Sequence, residues 1–173
     1  ERGLAVTVGD RAWAAARNMG AFLAVAQGAG EPPAFIVLEH NADRTELPAI
    51  VLVGKGITFD TGGISLKPGD RMWEMKSDMG GAAAVLGAMD VVGRLGLPLR
   101  VIGITPCTEN MPDAAAYRPA DVITASNRTV TTSGDTRSHP ARMGTRCRTN
   151  SVPAHKSTMP AMNNKTESVI GYP

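Results

Sequence analysis

The stretch Ile50-Val51-Leu52-Val53-Gly54-Lys55-Gly56-Ile57-Thr58-Phe59-Asp60-Thr61-Gly62-Gly63-Ile64-Ser65-Leu66-Lys67 passes from an unbroken apolar run into a glycine-rich segment carrying two lysines and an aspartate. Ile50 to Gly54 has the pattern of a strand covered on both faces, and Thr58 to Asp70 reads as a loop. Open α/β sheets place their sites in loops at the carboxyl ends of their strands. Outward from this point the pattern repeats. Leu4 to Val8 and Ala34 to Glu39 read as strands, Asp10 is placed to cap a helix reaching about Arg17, and Gln27 to Pro33 is a break. Ala82 to Arg94 is a helix of small apolar residues ended by Gly96 and Pro98, and Leu99 to Thr105 is the next buried strand. Strands alternating with helices predict an α/β fold: a three-layer arrangement of a mixed, largely parallel sheet flanked by helices.

The composition bounds what such a fold can be. The chain has 173 residues, 43% hydrophobic and 20% charged, with a net charge of +2. That balance suits one soluble domain with a core and excludes a generically disordered polymer. There is no apolar run of membrane-spanning length, no secretory leader pattern, and only Cys107 and Cys147, in no zinc-ribbon spacing. A cytoplasmic location is the expectation. The charge is unevenly spread: residues 1–130 carry 12 basic and 14 acidic side chains, whereas 131–173 carry 6 and 2 and contain no Leu, Phe or Trp. The expected organisation is therefore one folded unit over 1–130 and a basic, irregular tail over 131–173. Scattered rather than clustered basic residues argue against a nucleic-acid partner.

Two glycine patterns lead nowhere. Lys55 lacks the GxxxxGK[ST] spacing of a phosphate loop, and Gly28-Ala29-Gly30 runs into Glu-Pro-Pro instead of a helix. His40, His139 and His155 have no paired ligand spacing and read as loop residues, and Cys107 as a structural thiol at the end of a strand.

The chemistry lies in Lys55, Asp60, Lys67 and, within Lys76-Ser77-Asp78-Met79-Gly80-Gly81, Asp78 at the start of the long helix. Carboxylates gathered in one pocket repel, and a divalent cation relieves this, with a neutral lysine amine able to join the ligands. Oxygen donors suit Mg²⁺, Mn²⁺ or Zn²⁺. The alternative is two ordinary solvated ion pairs, Lys55–Asp60 and Lys67–Asp78.

The run Gly54-Lys55-Gly56-Ile57-Thr58-Phe59-Asp60, continued to Gly81, closely resembles the leucyl aminopeptidase family of cytosolic dinuclear-metal peptidases. Glu31-Pro32-Pro33, Cys107-Thr108-Glu109-Asn110-Met111-Pro112 and Arg118-Pro119-Ala120-Asp121-Val122 extend the resemblance over about residues 3–130. It implies that Lys55, Asp60 and Asp78 bind metal, with Asp60 bridging two ions. It implies that Lys67 is the catalytic lysine that holds the substrate carbonyl, and that Met75 lines the pocket for the N-terminal side chain. The implied reaction is release of N-terminal residues, leucine above all, from peptide substrates by two Mn²⁺ or Zn²⁺ ions that activate a bridging water. The family's homo-hexamers imply a homo-oligomer. After Asp121-Val122 the family carries an Asn-Thr-Asp-Ala-Glu-Gly-Arg motif with two more ligands and a bicarbonate-holding arginine. Here Thr131 to Arg137 stands instead, with Asp135 and Arg137 at the wrong spacing. The expectation is thus a truncated catalytic domain with at most one adequate metal site, out of frame from about Thr131 or ending in a basic arm. The competing expectation for function is an inactive remnant that keeps a weak metal site or associates with intact subunits.

Overall fold

The computed structural model describes residues 3–132. In chain order these form β1 (Leu4–Gly9), α1 (Arg11–Ala16), α2 (Gly20–Val25), β2 (Ala34–His40), β3 (Ala49–Val53), β4 (Gly56–Asp60), α3 (Gly80–Leu95), β5 (Arg100–Asn110), β6 (Val122–Thr124) and β7 (Val130–Thr132). Short 3-10 helices occupy Ala26–Gly28 and Met72–Ser77. The remaining expectations for the tail, including Asp135, Arg137, His139, Cys147 and His155, lie outside the described residues.

The fold is α/β with a mixed sheet, in the order β1-β2-β5-β3, with β4 also on β5. β1–β2 and β2–β5 are antiparallel, and β3–β5 and β4–β5 are parallel, so the parallel character sits at the side bearing Lys55 and Asp60. One face of the sheet is covered by α3. Leu38, Val85, Met89 and Val101 form its core, with Ile36, Leu52 and Leu99 packed around them. Met89 is fully buried, and Gly103 of β5 lets it and Val85 approach the strand: a Cβ there would lie 2.6 Å from Met89 Cγ. On the alternate residues of β2, Phe35 stacks on Trp13 of α1 and meets Phe22 of α2 edge-on, with centroids 5.7 and 5.5 Å away. Asp10 caps α1 as expected, accepting from the Trp13 amide at 2.8 Å.

β3 and β4 are two segments of one line. Ala49 lies opposite Arg100 and Gly56 opposite Cys107, the same offset, so both run along β5 in a single register. The interruption has a chemical cause. The Gly54 amide donates to Ile104 O at 2.9 Å, and a parallel ladder would return a bond to the Gly54 carbonyl from residue 106. Residue 106 is Pro, which has no N–H. The chain leaves the ladder there, and the Lys55 carbonyl instead accepts from the Ala82 amide in the first turn of α3 at 2.8 Å.

Four readings from sequence are corrected. The loop expected from Thr58 begins only after Asp60, because pairing with the far end of β5 keeps the chain extended, with a one-residue register shift between Ile57 and Phe59. β5 continues past Thr105 to Asn110 in spite of Pro106, whose missing N–H faces the break. His40 is the buried last residue of β2, its Nε2 2.9 Å from Leu97 O, rather than a loop residue. β3 is not covered on both faces: Ile50, Val51 and Val53 are exposed, Val53 by 67%, and among the described residues no strand pairs with its outer edge. The β6–β7 hairpin carries regular structure to Thr132.

Candidate metal centre

Five residues singled out from sequence come together where the broken strand meets the start of α3. Lys55 sits in the break, Asp60 ends β4, Lys67 follows the glycine loop, Met75 lies in the 3-10 helix, and Asp78 follows it. Close backbone contact holds the two sides together. A Cβ on Gly54 would be 2.2 Å from Gly81 O, and one on Gly81 would be 2.9 Å from the Lys55 amide. Only glycine on both sides permits this approach. Gly62 and Gly63, with φ of 92° and 68°, turn the chain back so that the Lys67 amide reaches Thr61 O at 2.8 Å.

The charged groups form one connected cluster. Lys55 Nζ is 2.6 Å from Asp78 Oδ2 and 3.2 Å from Asp60 Oδ2, and Lys67 Nζ is 3.0 Å from the same Asp60 oxygen. Lys67 Nζ also lies 3.2 Å from Met75 Sδ. The pairing is therefore not Lys67 with Asp78, as two separate ion pairs would require: both lysines converge on Asp60. Asp60 is 8% exposed. Burial raises its carboxyl pKa, yet hydrogen bonds, with Lys67 foremost and the Gly62 amide and Asn110 contributing, hold it well below the usual carboxylate range. Burial lowers the Lys55 ammonium, and hydrogen bonds and charge from Asp78 and Asp60 outweigh it, leaving Lys55 above its ordinary value.

Asp60 has partners that sequence reasoning did not single out. Its Oδ1 accepts from Asn110 Nδ2 at 2.8 Å and from the Gly62 amide at 2.9 Å. Asn110 stands directly opposite Asp60 in the β4–β5 ladder. The only sequence signal for it was its place in Glu109-Asn110-Met111-Pro112, fifty positions from Asp60, and the strand register alone joins them.

The donor chemistry fits one divalent cation. Asp78 Oδ2 is buried, and the Lys55 ammonium lies 2.6 Å from it, with the Asp60 carboxyl also close to the Asp78 side chain. Two carboxylates are thus bridged by a positive charge at the point where a cation coordinated by Lys55, Asp60 and Asp78 would sit. Among the described residues, no three His, Cys, Asp or Glu side chains gather closely enough to hold a metal.

Known proteins resemble this chain in sequence and in fold. Residues 1–138 match the model of the cytosol aminopeptidase family, catalytic domain. The chain is 63% identical over 116 residues to a probable cytosol aminopeptidase of Syntrophobacter fumaroxidans, covering 65% of this chain and 23% of that protein. It is 51% identical over 131 residues to a probable cytosol aminopeptidase of Syntrophotalea carbinolica, covering 75% and 26%. Among solved structures, it is similar to the bottromycin maturation enzyme BotP in complex with Mn, at 44% identity and a TM-score of 0.69, over 76% of this chain and 28% of that one. The chain spans about a quarter of the length of these relatives. With the family's catalytic-domain model matching residues 1–138, most of this chain and the whole lysine–aspartate cluster, the chain belongs to the cytosol aminopeptidase family.

Proposed function

We propose that this chain carries the lysine-containing metal site of an aminopeptidase that releases N-terminal amino acids, leucine among them, from peptides. The observation that supports this best is the convergence of Lys55, Asp60, Asp78 and Lys67 within 3.2 Å contacts at the end of a broken strand. Lys55, Asp60 and Asp78 are the residues that would hold a divalent ion, Mn²⁺ or Zn²⁺. Such an ion supplies Lewis acidity and a more acidic bound water. Asp60, kept ionised by its hydrogen bonds, offers a full negative charge at neutral pH. Lys67 stands within reach of the same carboxylate oxygen and presents an ammonium that can hold a peptide carbonyl and stabilise the negative charge that develops on it. Met75, in contact with Lys67, supplies an apolar wall for a side chain such as leucine. Homo-oligomeric assembly, as in the family's hexamers, and a cytoplasmic location belong to the same reading.

Hydrolysis of a leucine chromogenic amide by the full chain with added Mn²⁺, against an Asp60→Ala control, tests it. Metal-dependent turnover lost in the variant supports the proposal, and equal background in both overturns it.

A second reading is an inactive chain that keeps one weak metal site or acts by associating with intact subunits. It is favoured by the donor count, since among the described residues no three His, Cys, Asp or Glu side chains gather closely enough to hold a metal. Mn²⁺ binding without turnover is its expected signature.

A further inference from the structure

We propose that Asn110 is the positioning residue that decides which oxygen of Asp60 is offered to a bound cation. The inference rests, in its metal-binding part, on the site reading above. A carboxylate attached through a freely turning bond can present either oxygen. Here Oδ1 is taken by two donors from different directions, Asn110 Nδ2 at 2.8 Å and the Gly62 amide at 2.9 Å. Oδ2 is left facing both ammonium groups, 3.2 Å from Lys55 and 3.0 Å from Lys67. The carboxylate is therefore turned to give one oxygen to the protein and the other to the pocket. Amide-to-carboxylate hydrogen bonds are charge-assisted and short, so this division is held firmly.

Asn110 is itself fixed, which separates a positioning role from a chance contact. Its backbone carbonyl accepts from the Thr61 amide at 3.0 Å and from Thr61 Oγ1 at 2.7 Å. Its side-chain oxygen packs on Gly63, where a Cβ would lie 2.8 Å away. The strand end, the residue after Asp60 and the glycine turn all hold the amide against one carboxylate oxygen. The orientation of the amide follows from chemistry: only the NH₂ side can donate to a carboxylate. Partners of this kind, which orient a metal ligand without touching the metal, change affinity by about 10- to 100-fold when removed.

Two measurements on the full chain test the proposal. In the metal-free protein, the Asn110 side-chain NH₂ resonances, assigned by their loss in Asn110→Leu, are expected downfield and slow to exchange. They are expected to move toward free-amide positions in Asp60→Ala, which removes the acceptor altogether. Resonances that stay in place in that variant overturn the contact. In the second measurement, Mn²⁺ binding is read by loss of the free-ion EPR signal. Asn110→Leu is expected to bind about 10- to 100-fold more weakly than the parent chain, with an unchanged melting temperature in chelator. Equal Mn²⁺ affinity in the two overturns the positioning role, as does a weakening matched by loss of the metal-free fold. A parent chain that binds no Mn²⁺ overturns the metal-site reading, while the resonance measurement still decides whether Asn110 sets the carboxylate.

Discussion

Asp60 is where the charges of this site balance. Lys55 and Lys67 both reach its Oδ2, yet they are not equivalent, because Lys55 also contacts Asp78 at 2.6 Å and Lys67 instead contacts Met75. Lys55 is bound into the acidic pair, and Lys67 has one side toward an apolar neighbour and open space. Replacing Lys67 with Met should leave Mn²⁺ affinity within a few-fold while lowering leucine-amide turnover on the order of 10²–10³-fold, the loss expected for a donor aimed at developing charge. Calorimetric Mn²⁺ titration beside the turnover assay checks this; equal losses in both would place Lys67 among the groups that hold the cation. The charged members of the site were legible in the sequence because Lys55, Asp60, Lys67 and Asp78 fall within one stretch of chain whose glycines signal close approaches. Asn110 was not, since its relation to Asp60 exists only through the register of two strands.

The elements are joined at glycine contacts that have no slack. Gly54 and Gly81 bring the strand break against the first turn of α3, and an added methyl at Gly54 would overlap backbone, which cannot swing aside as a side chain can. Gly54→Ala should destabilise the fold by about 1–3 kcal/mol and weaken Mn²⁺ binding, because it parts Lys55 from Asp78. Gly87, in the middle of α3 with nothing within 4 Å of its would-be Cβ, is the contrast. Gly87→Ala should stabilise by about 0.5–1 kcal/mol. Urea titrations of both variants give the signs directly. Sequence patterning located each main strand and the long helix, since apolar runs and capping residues are local signals. It missed β4 and the extension of β5, where pairing between distant segments overrides the loop tendency of Thr58 and the strand-breaking tendency of Pro106.

Taken as a whole, the described residues enclose a small core on one side of the sheet. Met89 is its largest fully buried apolar side chain and touches Gly103 of the central strand. Met89→Ala should cost about 2–5 kcal/mol, measured by chemical unfolding. The other side of β3 is a different surface: Val51 and Val53 are exposed by 51% and 67%, on a strand without a single charge. Natural sheet edges are commonly protected by lysine or proline, and this one has neither. Val53→Lys should reduce concentration-dependent association, seen as lower light scattering at equal protein concentration, with an unchanged far-ultraviolet spectrum. Scattering unaffected by the substitution would show that this edge does not drive association. No helix among the described residues is long and apolar enough to cross a membrane.

The break opposite Pro106 has a consequence for anyone wishing to graft this site onto another scaffold. Residues 53–82 contain each lysine and aspartate of the cluster and look like a portable cassette. Copied alone, they would lose the reason Lys55 leaves the ladder and the amide that aims Asp60, because both reside four residues apart on the neighbouring strand, at Pro106 and Asn110. The smallest transplantable unit is discontinuous: one loop-bearing segment plus a second strand whose proline and asparagine must arrive in the correct register.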